Sequence, residues 1–459
     1  MFINKNGEEF TFGRDNFLGN GLSWSIDRLP LGICVTGGTG SGKTNRIFLP
    51  LFKELLELRL RQDEEMKWGG VFIDPKLSFA RRLVELIHRF GLEDELYILS
   101  ENRAVTINPF LSGLSGPKIA EMLVKSLAAG KPMSQGSGAF YYESRSVALL
   151  GQLSTVALFA SRPCLRLVSD MADQLTCGGS LDSSDPRAAE ALRRIEVFAN
   201  SDEGEKKKVL DSLQNYLDVF RNDPWRSIFF EYGPFTLDTV RDEGKMIVAA
   251  FSPNKVNNLN SGLFLLKELW YATIMDRMDD NFTGNRQRFC LHVCDEFQQV
   301  AGGSSDANFF AVRREARACP IVAFQQISQL RTVIPSEWES VLGLLTTKIF
   351  LRQSDVDTAA FAEKLGGYTE DSVDAVTKTP DSMNLFYSES SRTTTRQLHP
   401  RIPAEYFLQL PDGDAIIIND RRHMAWFPAY GMTDEEEVAL RNKKWPDRPG
   451  LLHPAEFRE

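Results

Sequence analysis

Residues 29–50 read LPLGICVTGGTGSGKTNRIFLP, and the fold turns on this stretch. The apolar run Ile33-Cys34-Val35 has the composition of a strand, and Asn45-Arg46-Ile47-Phe48 opens a helical pattern. Between them, residues 37–44 fit G-x-x-x-x-G-K-[ST], with Gly37, Gly42, Lys43 and Thr44 at the fixed places. Each residue type there has a chemical reason. Gly37, Gly38, Gly40 and Gly42 let the backbone curl until its N–H groups point at phosphate oxygens. Thr39 and Ser41 fill the remaining places of the cradle. The following helix adds unpaired N–H groups and the positive end of its dipole. Lys43 is expected to reach the β- and γ-phosphates of ATP, and the Thr44 hydroxyl to bind Mg²⁺. A dinucleotide fingerprint would need a different glycine spacing, so Gly42-Lys43-Thr44 belongs to a phosphate loop.

A second signal lies far downstream. Phe289-Cys290-Leu291-His292-Val293-Cys294 is an apolar strand that runs into Asp295-Glu296. Carboxylates suit this place because Mg²⁺ is a hard cation that takes oxygen ligands. Asp295 is expected beside the metal, and Glu296 to orient and polarise the attacking water. Pro320-Ile321-Val322-Ala323-Phe324 is another strand, and Gln325 at its tip suits a sensor of the γ-phosphate. A turn-capping role for Gln325 is the plainer alternative.

Other stretches fill in an α/β pattern. Residues 69–73 form an apolar strand ending in Asp74-Pro75-Lys76, at the kind of end where open α/β sheets bind ligands. A solvated turn explains those three residues equally well. Strands are expected at 96–99, 245–251, 348–352 and 415–419, and helices at 51–66, 78–90, 262–278 and 355–366. A helix after residues 301–305 is expected to carry Arg313, Arg314 and Arg317. Residues 112–225 are helical in pattern throughout, with a Gly/Ser loop at 134–138, and read as an all-helical insertion. Residues 367–396, rich in Ser and Thr, read as a loose hairpin or loop. The expected division is 1–111 and 226–430 for the two parts of a nucleotide-binding domain, 112–225 for the insertion, and 431–459 for a polar tail.

Composition narrows the class further. The chain has 459 residues, 42% hydrophobic and 25% charged, which fits a globular protein of two or three domains. No apolar run reaches the roughly 18 residues of a membrane helix, and residues 147–160 are broken by Gln152, Ser154 and Thr155. The first residues, MFINKNGEEFTFG, contain no apolar signal region. A cytoplasmic protein with no membrane segment of its own is the expectation. The six cysteines lack C-x-x-C spacing and mostly lie in apolar runs, as reduced core thiols do. The net charge of −9 opposes a basic outer coat for DNA. It leaves room for a local grip, for which Lys255 with Asn257, Asn258 and Asn260, and the loop Gly302-Gly303-Ser304-Ser305, are candidates.

Taken in order, these motifs resemble the type IV secretion coupling proteins, the TraG/TraD-type conjugation ATPases of the HerA–FtsK superfamily. The resemblance rests on the phosphate loop, on Ile73-Asp74-Pro75-Lys76, Asn108-Pro109 and Asp295-Glu296-Phe297, and on RACPIVAFQQISQL at 317–330 with Gln325 and Gln329. It implies a RecA-like P-loop NTPase with a central, mostly parallel sheet flanked by helices, plus an inserted all-α domain. It also implies a homo-oligomer, a hexameric ring, that moves DNA through a central pore. In such rings an arginine from one subunit reaches the γ-phosphate bound by the next, and Arg317 matches the family's arginine. A relaxase or other substrate protein would dock on the all-α domain. Two features depart from the pattern: the family's N-terminal membrane segment is not seen, and Gln298 stands where Pro usually follows Asp-Glu-Phe. A coupling ATPase that delivers proteins, and a nucleotide-gated scaffold with slow turnover, are the competing readings. Glu296 argues against the scaffold, which needs no water-activating base.

Overall fold

The computed structural model describes residues 9–14, 21–102, 104–129, 140–380, 388–419 and 424–428. The Gly/Ser loop at 134–138 and the polar tail at 431–459 lie outside the described residues. The strands are β1 (Glu9–Arg14), β2 (Gly21–Ser25), β3 (Ile33–Thr36), β4 (Gly69–Ile73), β5 (Leu96–Leu99), β6 (Met246–Ala249) and β7 (Cys290–Cys294). They continue with β8 (Ala318–Phe324), β9 (Thr347–Phe350), β10 (Tyr368–Pro380), β11 (Ser388–Pro400), β12 (Asp414–Ile418) and β13 (Met424–Pro428). Nine of them form one sheet in the order β13-β12-β9-β3-β8-β7-β4-β6-β5. From β9 to β5 every pairing is parallel, and β12 and β13 close one side antiparallel.

Parallel strands must be covered on both faces, and their apolar runs here are buried without alternation. Helices α1 (Leu49–Arg59) and α2 (Ser78–Arg89) cover one face. Phe52, Leu55, Phe79 and Leu83 pack there with Val35, Phe72, Leu291 and Val293. The long stretch after β5 carries α3 (Gly116–Ser126), α4 (Phe140–Leu158), α5 (Leu165–Thr176), α6 (Ala189–Ala199) and α7 (Glu203–Arg221). After the short α8 (Asp238–Glu243) come α9 (Leu259–Met275) and α10 (Ser304–Val312). Residues of α3–α7, α9 and α10 share one core with Val71, Ile73, Cys290 and Cys294 on the other face. Gly262 in α9 lets the Trp225 ring approach; a Cβ there would lie 2.3 Å from it. Trp225 Nε1 in turn donates to Asn257 O at 3.2 Å, which fastens the loop before α9.

Several details refine the sequence reading. Of the two alternatives for residues 367–396, a loose hairpin or a loop, the structure has the hairpin: β10 and β11 pair in unbroken register from Tyr368↔Pro400 to Pro380↔Ser388. The helix after residues 301–305 ends at Val312, before the arginines. There Arg317 N–H donates to Arg314 O and Ala318 N–H to Arg313 O, with Arg317 at φ +50. This is the hydrogen-bond pattern of a Schellman stop, with Arg317 in the left-handed place that usually favours glycine. The residues 302–305 are also held from within: Gly302 N–H donates to Asp306 Oδ2 at 2.6 Å, and Ser305 Oγ donates to Glu268 Oε1 at 2.7 Å. Finally, of the six free thiols Cys177 is exposed and the others are buried.

Asp306 belongs to a buried ionic knot behind the strand ends. Lys267 Nζ donates to Asp306 Oδ1 at 2.6 Å and lies 3.2 Å from Glu268 Oε1, with Lys267 and Asp306 fully covered. Burial alone would push the ammonium down, but the two carboxylates hold it above its ordinary value. Removing one partner of such a pair leaves an uncompensated charge. Lys267→Met should therefore cost about 3–5 kcal/mol in chemical unfolding followed by tryptophan fluorescence. Adding Asp306→Asn, which keeps an acceptor for Gly302, should recover part of that loss. Equal midpoints for the single and double variants would contradict the pairing.

Candidate functional site

Strand register decides which side chains meet. Thr36 at the end of β3 lies opposite Phe324 of β8, Cys294 of β7 opposite Val322 of β8, and Ile73 of β4 opposite Cys294. The residues just past these strands, Gly37, Asp74, Asp295, Glu296 and Gln325, therefore emerge on one edge. Asp295, Glu296 and Gln325 line an open cleft of about 340 Å³ there, together with residues 39–45, Lys76, Ser78 and Arg82.

The loop at 37–44 has the backbone its glycines permit. Gly40 and Gly42 sit at φ +78 and +102, and a Cβ on Gly42 would lie 2.8 Å from Arg46. Gly38 N–H donates to Arg352 O at 2.8 Å, tying the loop to the chain after β9. The helical residues Lys43–Phe48 begin with a widened turn, in which Leu49 N–H reaches Thr44 O. Lys43 is buried, and its ammonium donates to Gly37 O at 2.7 Å and Gly38 O at 3.4 Å. Burial pushes it below the ordinary lysine value, while Asp295 and Glu296 pull it back up.

Asp74 is neither exposed nor a solvated turn. Its carboxylate accepts N–H bonds from Lys76 (2.9 Å), Phe79 (2.7 Å) and Ala80 (3.0 Å), which fastens the start of α2. Burial raises its pKa, with Glu296 adding to the rise and the three N–H bonds opposing it. Asp295, also buried, is pushed up to about 7 by burial and by the nearby Asp74 and Glu296.

Glu296 is held on both oxygens. Oε1 accepts from Lys76 Nζ at 2.7 Å and from Gln325 Nε2 at 2.9 Å; Oε2 accepts from Gln298 Nε2 at 2.7 Å. Burial raises its pKa, but these donors outweigh burial and leave it below the usual value. Its backbone is left-handed, φ +51 and ψ +46. A non-glycine residue in that region stores about 1 kcal/mol or more. Gln325 also accepts from Thr39 Oγ1 at 3.2 Å, so one amide bridges the phosphate loop and Glu296.

Lys43, Thr44, Asp295, Glu296 and Gln325 thus share the cleft with residues 39–42. Arg317 does not join them. It lies at the other end of β8, about 20 Å along the strand, with its guanidinium 4.3 Å from the Phe289 ring. Two parts of the site escaped the sequence reading. Gln298 was visible only as a departure from a family pattern, and Lys76 only as part of the Asp-Pro-Lys strand end, with no role assigned.

The residues fit a Mg²⁺ nucleotide. The Lys43 ammonium donates to carbonyls of its own loop, and the carboxylates of Asp295 and Glu296 share the cleft with it. Among the described residues no group of three or more His, Cys, Asp or Glu is arranged to hold a metal. Mg²⁺ carried by phosphates needs only one or two protein oxygens, which Thr44 and Asp295 can supply.

Residues 290–412 match the family model described as the TraM recognition site of TraD and TraG. No curated protein matches the chain by sequence. Among solved structures, the unbound bacterial conjugative coupling protein TrwBdeltaN70 is similar at TM-score 0.63 and 18% identity, covering 93% of this chain and 90% of that one. Plasmid coupling protein TrwB in complex with ADP and Mg²⁺ is similar at TM-score 0.59 and 18% identity, covering 89% and 86%. VirB4 of Thermoanaerobacter pseudethanolicus is similar at TM-score 0.54 and 13% identity, covering 95% and 100%. The mostly parallel sheet with flanking helices is the RecA-like P-loop fold. No helix among the described residues is long and apolar enough to cross a membrane.

A ligand that binds only the folded state raises its melting temperature. ATP with Mg²⁺ should therefore raise the melting temperature of this protein, and Lys43→Ala should remove most of that rise while the ligand-free value changes little. An equal rise in the variant would place the nucleotide elsewhere.

Proposed function

We propose that the chain works as a coupling protein of the type IV kind, an ATP-driven motor that moves DNA through a ring of its own copies, a reading supported by the family match at residues 290–412 and the shared fold. The observation that carries this reading is the cleft shared by the loop at 37–44, the Asp295-Glu296 pair and Gln325. The loop backbone at residues 39–44 cradles the phosphates, and Lys43 moves from Gly37 O to the β- and γ-phosphates. When bound, Mg²⁺ neutralises charge on those phosphates, with Thr44 and Asp295 as the residues that hold it. Glu296 orients a water for attack on the γ-phosphorus, and the bond to the β–γ bridging oxygen breaks as ADP leaves. Gln325, which touches both Thr39 and Glu296, reports whether the γ-phosphate is present.

Arg317 is proposed to serve a neighbouring copy. Its distance from the cleft of its own chain supports a role in trans, where an arginine stabilises charge in the transition state. Partner proteins are proposed to dock on residues 290–412, which the family description associates with recognition, as well as on the helical segment at 112–225. Lys255 and the amides of Asn257, Asn258 and Asn260 are proposed to hold DNA phosphates. They leave the same edge of the sheet as the cleft, and repeated copies in a ring would multiply a weak contact. The residues 302–305 contribute less, because Gly302 N–H is already used by Asp306.

Steady-state ATPase assays with and without DNA test the central reading. DNA should stimulate the rate, and raising salt should weaken the DNA complex steeply. Glu296→Gln should bind ATP yet turn over at least about a hundredfold more slowly. Hydrolysis by Glu296→Gln at the wild-type rate would remove Glu296 from its proposed role.

Mixed assemblies test Arg317. Arg317→Ala and Lys43→Ala subunits should each be nearly inactive alone and regain activity when mixed, since some interfaces then pair an intact loop with an intact arginine. No recovery in mixed rings of demonstrated composition would contradict the role in trans.

A further inference from the structure

Lys76 stands between two clefts. On one side it lines the nucleotide cleft beside Lys43, Glu296 and Gln325. On the other it lines a second cleft of about 350 Å³, together with Pro253, Asn258, Asn260, Ser261 and Gln299. The second cleft has an unusual lining for an acidic protein. Among the described residues its lining has no carboxylate, one cation, the amides of Asn258, Asn260 and Gln299, and the hydroxyl of Ser261.

The pair between Lys76 and Glu296 is lopsided. Glu296 is 5% exposed and fixed by three donors, whereas the Lys76 side chain is 44% exposed. The backbone of Lys76 is fixed too, because its N–H donates to Asp74 Oδ1 at 2.9 Å and Leu77 follows at φ +66. The long, flexible side chain is therefore the part that can swing. The other donors to Glu296, Gln325 and Gln298, are neutral and do not line the second cleft. While Lys76 and Gln325 share Oε1, that oxygen is poorly placed to accept from a water in the nucleotide cleft.

We propose that Lys76 is a positioning residue that restrains Glu296, and that a phosphodiester of DNA entering the second cleft draws its ammonium away and frees Oε1. The amides of Asn258 and Asn260 and the Ser261 hydroxyl are donors suited to a phosphate, and they read no base. Because they adjoin Lys255, the cleft continues the surface assigned above to DNA, and the proposal rests on that reading. It makes the stimulation of hydrolysis by DNA a single side-chain movement, with no change in the nucleotide cradle.

The test uses the full chain with Lys76→Met, Lys76→Arg and Asn258→Asp. Asparagine 258 sits at φ +52, a conformation aspartate also tolerates. Its substitution places a carboxylate in the second cleft to attract Lys76. Without DNA, Lys76→Met should raise kcat up to roughly fivefold, as expected for releasing one ion pair whose lysine is half-exposed. The KM for ATP should stay within about twofold, and DNA should add little further stimulation. Lys76→Arg should behave like wild type, and Asn258→Asp should raise the DNA-free rate. A Lys76→Met enzyme slowed by the same factor with and without DNA, or unchanged in both, would overturn the restraint. Wild type that DNA fails to stimulate, beside a faster Lys76→Met, would overturn the DNA reading and leave the restraint standing. Stimulated wild type with no rise in Lys76→Met would do the reverse.

Discussion

Parallel pairing of β3, β8, β7 and β4 is the constraint on which the site depends. It sends the carboxyl ends of four strands to one edge, so residues more than two hundred positions apart become neighbours. It also crowds Asp74, Asp295 and Glu296 into a partly dry space. Like charges in such a space oppose one another, and each carboxylate meets the problem differently. Asp74 takes three backbone N–H bonds and fastens α2. Glu296 takes three side-chain donors. Asp295 accepts one backbone N–H, from Glu296, and is pushed up to about 7 by burial and by its two carboxylate neighbours. The group with the least compensation is thus the one best placed to gain from a bound cation.

The rest of the molecule keeps that edge rigid. The core on each face of the sheet fixes the strands, and the Lys267–Asp306 pair ties α9 to the turn that leads from Glu296 into α10. Lys267 also lies 5.9 Å from the Phe297 ring, directly after Glu296. A displacement at the strand tips would meet this knot first. In contrast, Lys43, Lys76 and Gln325 are held by single hydrogen bonds or pairs of them, the kind of fastening a ligand can exchange.

Much of this was legible in the sequence because the signals are contiguous. The loop at 37–44, the strand ending in Asp295-Glu296 and Gln325 at the tip of an apolar run each need only neighbours in the chain. The α/β class followed from apolar runs alternating with helical patterns. The contacts that set the behaviour of Glu296 were not legible. Lys76 meets it only because β4 lies beside β7, and Gln298 only because Glu296 takes a left-handed backbone. Arg317 shows the same limit. Its side chain invited a chemical reading, while its backbone conformation closes a helical turn and was invisible without coordinates. The β10–β11 ribbon was half legible, as a loose hairpin or loop, because its Ser- and Thr-rich sequence carries no sustained alternation of apolar and polar residues.

The central claim is that ATP binds between the loop at 37–44 and the Asp295-Glu296 pair. A crystal structure of this protein with Mg²⁺ and a non-hydrolysable ATP analogue tests it most directly. The account predicts the triphosphate in the curl of residues 39–44, Lys43 Nζ moved from Gly37 O onto the β- and γ-phosphates, and the metal beside Thr44 and Asp295. An analogue bound elsewhere, or Lys43 still donating to Gly37 O beside a bound triphosphate, would contradict it.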